Sequence, residues 1–268
     1  MAADHARGAG GAPPLRLATR RSQLALWQAE HVAALLRAAH PSLAVELVAM
    51  STEGDRRLDV PLSEIGGKGV FATEVQSALL DGRADLAVHS AKDLPAVTGE
   101  GLALAAVPER GDPRDALVGG RLEDLRTGAV VATGSARRRA QLAHLRPDLT
   151  FAELRGNMAT RLAKAADFDA IVVAAVAFER LGLSEHVDQV LDVNRMVPQV
   201  AQAALAVECR ADDAATAALL SAIEHPELPA RYFQLYYEAI KRAKVFSDAV
   251  ITDLAAAITG GIGLAASG

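Results

Sequence analysis

Two successive stretches of the chain repeat one rhythm of short apolar strand, amphipathic helix, strand, helix, strand. That alternation constrains the fold to α/β layers, because parallel strands need a crossover helix to return along the same sheet. In the first stretch, residues 15–19 read as a strand and Ser22 as the N-cap of a helix running to about Ala39. Ala25, Ala29, Val32 and Leu36 line one face of that helix, and Pro41 stops it. Val45–Met50 is then a strand, residues 70–80 a helix, and residues 85–88 and 102–107 two further strands. The second stretch repeats the pattern, with strands at 129–133, 150–154 and 170–174 and helices at 136–145 and 160–166.

The expected fold is therefore α/β, with two similar lobes of mixed sheets flanked by helices and a cleft between them, in the manner of periplasmic binding proteins, plus a short helical C-terminal segment. Residues 1–14 read as a flexible leader, 15–108 and 204–224 as the first lobe, 114–198 as the second, and 225–268 as the helical segment. Residues 109–115, with Gly111 and Pro113, cross between the lobes, and 194–202 cross back; paired crossings of this kind permit hinge motion. Tyr232, Phe233, Tyr236 and Tyr237 cluster at helical spacing, and are expected to pack on the chain's own lobes.

Aromatic residues make up only 4% of a chain that is 51% hydrophobic, so the cores must be built from Ala, Val and Leu. The net charge of -5 speaks against a general nucleic-acid surface, which leaves any anion site local. A single cysteine, Cys209, excludes an internal disulfide framework and a cysteine-based metal cluster, fits a reducing, cytoplasmic setting, and reads as a buried structural thiol. His89 has no second histidine at ligand spacing, so no metal is expected. Polar residues interrupt every apolar stretch of the tail, so no membrane segment is expected either.

The chemistry is expected where an apolar strand runs into His89-Ser90-Ala91-Lys92-Asp93, because the carboxyl ends of strands in open α/β sheets face the ligand crevice. Asp93 is a candidate proton-handling carboxylate; the alternative is an aspartate capping the turn before Pro95. Arg20, Arg137, Arg138, Arg155 and Arg161 all follow strands. Thr133-Gly134-Ser135 opens a helix whose free N–H groups favour an anion, so the ligand is expected to be polyanionic. By contrast, Arg56, Arg57 and Arg139 read as solvated surface. Gly66-Gly67-Lys68-Gly69 lacks the spacing of a nucleotide phosphate loop, but it could carry Lys68 and Phe71 as a lid.

From about Leu15 to about His225 the chain resembles the porphobilinogen deaminase (hydroxymethylbilane synthase) family. The resemblance rests on ordered motifs: Leu17-Ala18-Thr19-Arg20-Arg21-Ser22, Leu26-Trp27-Gln28, Thr52-Glu53-Gly54-Asp55, Gly66-Gly67-Lys68-Gly69-Val70-Phe71 and Ala87-Val88-His89-Ser90-Ala91-Lys92-Asp93-Leu94-Pro95. These continue through Arg110-Gly111-Asp112-Pro113-Arg114-Asp115-Ala116, Ser135-Ala136-Arg137-Arg138, Leu154-Arg155-Gly156-Asn157, Arg180-Leu181-Gly182-Leu183 and Val207-Glu208-Cys209-Arg210. The resemblance implies a transferase of tetrapyrrole, porphyrin and heme biosynthesis that joins four porphobilinogen units into hydroxymethylbilane with release of ammonia. It also implies a dipyrromethane cofactor. Asp93, with Lys92, would be catalytic. Arg20, Ser22, Lys68, Phe71, Ser90, Thr133, Ser135, Arg137, Arg138, Arg155, Arg161, Arg180 and Gln202 would bind the acetate and propionate groups of cofactor and substrate. A monomer with a small-molecule substrate is expected, without nucleic acid or membrane.

The chain also departs from the family. It lacks the Gly-Gly-Cys loop that carries the cofactor cysteine in the family's third domain; the expected position falls near Val245, and Cys209 matches a different place. No attachment residue is identified, so a two-lobed, non-catalytic binder of pyrrole carboxylates is the alternative reading. The family's Gly-Gln-Gly turn is here Ala201-Gln202-Ala203, and its Ala-Gly-Leu is Val176-Ala177-Phe178. Alanine where glycine served a positive φ is expected to be strained.

Overall fold

A computed structural model describes residues 13–52, 72–95 and 97–226. They divide into two compact units, one holding residues up to Glu109 and again from Leu205, the other Arg110–Ala204. Lys68 and Phe71, the leader and the tyrosine-bearing tail lie outside the described residues.

The first unit contains β1 (Leu15–Arg20), β2 (Val45–Met50), β3 (Leu86–Ser90), β4 (Leu102–Ala106) and β10 (Leu205–Arg210), in the order β2-β1-β3-β10-β4. β1 runs parallel to β2 and β3, and β10 runs antiparallel to β3 and β4. The second unit has β5 (Asp115–Val118), β6 (Val130–Ala132), β7 (Thr150–Ala152), β8 (Ala170–Ala174) and β9 (Gln189–Val190), in the order β7-β6-β8-β5-β9. Here β6 runs parallel to β7 and β8, and β5 antiparallel to β8 and β9. Both mixed sheets thus share one plan, and in each the antiparallel fourth strand is the one the chain enters directly from a crossing between units.

Helices α1 (Gln23–Ala39), α2 (Thr73–Leu80) and α6 (Ala214–Leu220) belong to the first unit; α3 (Ala136–Leu145), α4 (Met158–Ala163) and α5 (Ala175–Arg180) belong to the second. The Ser22 side chain accepts the Ala25 N–H and starts α1, whose buried residues include Ala25, Ala29, Val32 and Leu36. Strand alternation sorts the cores onto two faces. Leu15, Leu17, Leu86, Val88 and Val207 pack with α1, while Ala18 and Ala87 pack with Val75, Ala78 and Leu79 of α2. In the second unit Leu117, Val131 and Val172 meet Leu142 of α3, while Val118, Ala132, Ile171 and Val173 meet Phe178 of α5.

The expected α/β class and the strands β1 to β4 and β6 to β8 are present, β2 and β8 with the expected bounds and the others with an end moved by one or two positions. The sequence reading did not contain β5, β9 and β10. Asp115, expected at the end of the crossing, is the first residue of β5, a strand of four residues after a Pro-Arg pair that is too short to show alternation. β10 is buried along five of its six residues, so it too shows no alternation. The helix expected over 160–166 is α4 followed by a 3-10 turn, Ala165–Asp167.

The strain expected of the Ala-Gln-Ala turn is present. Ala201 has φ 60° and Ala203 φ 72°, the two non-glycine residues with positive φ among the described residues. A left-handed backbone costs an alanine roughly 1–2 kcal/mol, and glycine gives back part of the difference as unfolded-chain entropy. Ala201→Gly and Ala203→Gly are each expected to raise stability by roughly 0.5–1 kcal/mol in urea unfolding. Gly119→Ala should act the other way, since its φ is 108° and a Cβ there would stand 2.6 Å from the Asp169 carbonyl oxygen. Unchanged midpoints for both alanine variants would remove the strain assignment.

Candidate functional site

In the first unit, the end of β3 delivers the predicted chemistry onto a single 3-10 turn, Ala91–Asp93. Ala91 and Leu94 are buried and anchor that turn, leaving Lys92 and Asp93 half-buried. The Leu94 N–H goes to the Ala91 carbonyl, so the turn closes through a backbone hydrogen bond. Ser90 faces α1, where its hydroxyl exchanges hydrogen bonds of 2.9 and 3.2 Å with the Gln28 amide. Ser22 is used as a helix cap, at 3.3 Å from the Ala25 N–H, and Arg20 is half-buried at the end of β1.

On the opposite face of β3, His89 is buried beside Glu208 of β10, a pair the sequence reading did not anticipate. His89 Nε2 lies 3.1 Å from Glu208 Oε2, off the line of a hydrogen bond. Gln76 Nε2 donates to both Glu208 oxygens, at 3.2 and 2.9 Å, so α2 supplies the partner that this buried carboxylate requires. Glu208 sits inside the motif Val207-Glu208-Cys209-Arg210, but an isolated charge in a short apolar run gives no sign of burial.

The second unit gathers three of the predicted residues, Arg137, Arg138 and Gln202, around one carboxylate that the sequence does not single out. Asp115 is fully buried. Arg138 Nε and Nη2 donate to Asp115 Oδ1 at 3.1 and 2.8 Å, and Arg138 Nη1 donates to the Val172 carbonyl at 3.1 Å. Arg137 Nη2 donates to Asp115 Oδ2 at 2.6 Å. Gln202 Nε2 donates to Asp115 Oδ1 at 2.9 Å and to the Pro113 carbonyl at 2.7 Å. Arg180 Nη2 reaches the Ala203 carbonyl at 2.7 Å, while Arg110 Nε takes that of Gln202 at 2.8 Å. The strained turn is thus held by two guanidiniums and by its own glutamine.

Local sequence explains the positioning. Ser135 is the N-cap of α3, accepting the Arg138 N–H at 3.4 Å, and Thr133 Oγ1 accepts the Ser135 N–H at 3.2 Å. One helical turn on from the cap, Arg138 and Leu142 lie on the same face and are both buried in the unit. Arg138, expected to bind ligand carboxylates, has each of its three side-chain nitrogens donating to the chain itself. Arg137 differs, because its Nε is buried with no acceptor among the described residues. Arg155 is half-buried at the end of β7, and its Nη1 is likewise a buried donor without an acceptor among the described residues. Arg161 turns back, its Nε donating to the Gly156 carbonyl at 2.9 Å.

Burial pushes the Arg180 guanidinium down to about 10, still charged at neutral pH. Burial also pushes the Cys209 thiol up to about 11, in the core formed by Leu15, Leu17 and Val207. Such a thiol is neither exposed nor ionised, which agrees with a structural role. Among the described residues no three His, Cys, Asp or Glu side chains gather as a metal site, and no helix is long and apolar enough to cross a membrane.

A family-wide sequence profile described as "Porphobilinogen deaminase, dipyromethane cofactor binding domain" matches residues 15–218. Solved structures of similar shape include the methionine-binding protein MetQ, at 14% identity and TM-score 0.48, covering 85% of this chain and 94% of that one. Another is the VFT2 domain of BvgS from Bordetella pertussis, at 15% identity and TM-score 0.46, covering 78% of this chain and 86% of that one. The aliphatic sulphonate-binding protein SsuA from Escherichia coli matches at 15% identity and TM-score 0.44, covering 90% and 73% respectively. Likenesses this distant carry no functional weight.

The Asp115 cluster makes an acid-stability prediction. Burial pushes its carboxyl up, but Arg138 and Arg137 outweigh burial and hold it below the ordinary aspartate value. A folded-state value below the unfolded one gives stability that is present above the unfolded value of about 3.9 and is lost as pH falls through the folded value. Urea unfolding should therefore show the second unit weakening below about pH 4. Asp115→Asn should lower stability at neutral pH by about 3–5 kcal/mol and flatten the acid dependence by one titrating group. Equal acid slopes in the two proteins would contradict the assignment.

Proposed function

The chain belongs to the porphobilinogen deaminase family, and on that premise we propose that it joins four porphobilinogen units head to tail into hydroxymethylbilane, releasing ammonia at each step. Of three buried guanidinium nitrogens with no acceptor among the described residues, Arg137 Nε, Arg139 Nε and Arg155 Nη1, the first and last belong to arginines at strand ends, and those two carry this reading. A buried donor is costly unless an acceptor arrives, and an acetate or propionate group is an acceptor of the right charge. The half-buried Asp93 carboxylate, on a turn closed by a backbone hydrogen bond at the end of β3, supplies the second element of the reading.

The family domain is a dipyrromethane cofactor binding domain, and the donor set of this chain suits the carboxylates of such a group. Arg137 and Arg155 would hold those carboxylates, with the N–H groups that open α3 beside Thr133 and Ser135. When bound, dipyrromethane supplies the primer from which the tetrapyrrole chain grows. In each condensation the aminomethyl C–N bond of porphobilinogen breaks and ammonia leaves, a C–C bond forms to the free α-carbon of the terminal pyrrole, and the C–H bond of that carbon breaks with loss of its proton, so the net change per step is the release of one ammonia. Positive charge develops at the pyrrole nitrogen as this happens. Asp93 stabilises that charge as an anion and holds the ring N–H proton, a role that needs it within hydrogen-bond reach of the reacting ring. Lys92 neighbours it on the same turn, and Arg20 brings a further cation at the end of β1. We place the activity in the cytoplasm, with a monomer acting on a small-molecule substrate.

One observation favours the second reading, a binder of pyrrole carboxylates without turnover. The single cysteine of the chain is buried, with its thiol pushed up to about 11, and is unsuited to anchoring a primer through a thioether. Intact mass separates the readings on that point: a covalent dipyrromethane adds its mass, and a pure binder shows the mass of the unmodified chain.

Activity is tested by incubating the protein with porphobilinogen and following substrate loss together with linear tetrapyrrole formation. Asp93→Asn is expected to lower turnover by roughly 10²-fold or more, while porphobilinogen affinity changes only a few-fold. No turnover by the unaltered chain above a buffer blank would overturn the enzymatic reading.

A further inference from the structure

The Asp115 carboxylate stands where a ligand carboxylate would stand if it bridged two arginines, yet it belongs to the protein. It is fully buried on the first residue of β5, whose backbone pairs with Ala174 of β8, so it is fixed in the sheet and cannot swing aside for a ligand. Arg137 and Arg138 both donate to it, and Gln202 adds a neutral donor. Two cations and one anion leave the cluster with a single net positive charge. Among the described residues the donor of the pair that is buried without an acceptor is Arg137 Nε, whose guanidinium also gives Nη2 to Asp115 and Nη1 to the Val197 carbonyl.

We propose that Asp115 is the positioning residue of the Arg137–Arg138 pair: it fixes the direction of Arg137 and cancels one of the pair's two charges, so that the pair favours a singly charged carboxylate over a doubly charged oxyanion such as phosphate. Coulomb attraction scales with the product of the charges, so each unit of net charge removed from the protein weakens a dianion's attraction twice as much as a monoanion's. The N–H groups at the start of α3 orient an oxyanion without distinguishing the two, which leaves the discrimination to the net charge. The inference rests on the reading that Arg137 meets a ligand carboxylate, and it adds the reason that the ligand carries carboxylates rather than phosphates.

The test uses the full chain, titrated at equilibrium with porphobilinogen, whose two carboxylates carry one charge each, and separately with inorganic phosphate near pH 8, where it is a dianion. The readout is the ratio of the two affinities. Asp115→Asn is expected to shift that ratio toward phosphate by about tenfold, and Asp115→Glu, which keeps the charge, to return it to within a few-fold of the unaltered protein. Arg137→Gln takes the net charge to zero and should move the ratio the opposite way. If Asp115 serves folding alone, both affinities fall by the same factor and the ratio stays fixed, which overturns the proposal; so does a Glu variant that behaves like the Asn variant. Should Asp115→Asn fail to fold by circular dichroism, Arg137→Gln decides: a ratio moved toward porphobilinogen supports the proposal and an unmoved ratio overturns it. If the unaltered chain binds no porphobilinogen, the family-based reading fails on its own, and acetate in its place, measured against phosphate on the same variants, still tests the charge setting.

Discussion

A buried carboxylate bridging two guanidiniums is the constraint on which the second unit depends. Removing Asp115, Arg137 and Arg138 from water is costly, and the attraction among them repays that cost only when nearly every lone pair and N–H is matched. The chain meets this requirement with groups from four places: the start of β5, the first turn of α3, the Val172 carbonyl of β8 and the Gln202 side chain. Because the pieces come from distant parts of the sequence, the cluster fixes their mutual positions more firmly than apolar contact could, since hydrogen bonds have direction and alanine-rich packing has little.

The strained turn follows from the same requirement. Gln202 reaches Asp115 and the Pro113 carbonyl from a turn whose flanking residues, Ala201 and Ala203, are both in the left-handed region. Backbone strain of this kind persists where the surroundings over-determine it, and here Arg110 and Arg180 hold the carbonyls of Gln202 and Ala203. Side-chain bonds therefore carry a conformation for which glycine would be the natural residue.

Much of the fold was legible because periodicity reports faces. The α1 stripe of Ala25, Ala29, Val32 and Leu36 under a Ser22 cap is read directly from residue spacing, as are the parallel strands of both sheets. The antiparallel strands were not legible: β5 has four residues, and β10 is buried on both faces, so neither alternates. Strand-end placement marked Arg137, Arg138 and Asp93 as candidates, but spacing says nothing of what a side chain meets across the fold. Asp115 was in plain view within Arg110-Gly111-Asp112-Pro113-Arg114-Asp115-Ala116, where an aspartate beside a proline and an arginine looks like ordinary turn composition. Its burial, and that of Glu208 beside His89, depends on partners 22 or more residues away.

The common plan of the two sheets has a consequence for the order in which the chain folds. Among the described residues the second unit is one continuous run, Arg110–Ala204, so its five strands emerge together from a ribosome. The first unit must wait. Its β3 and β4 are made early, but the strand that lies between them, β10, is synthesised only after the whole second unit. Until then two strand edges in the nascent chain lack their neighbour, in a segment rich in Leu, Ala and Val, and open edges of that composition are where nascent chains associate wrongly. Translation speed through residues 110–204 thus sets how long the amino-terminal half is exposed to that hazard.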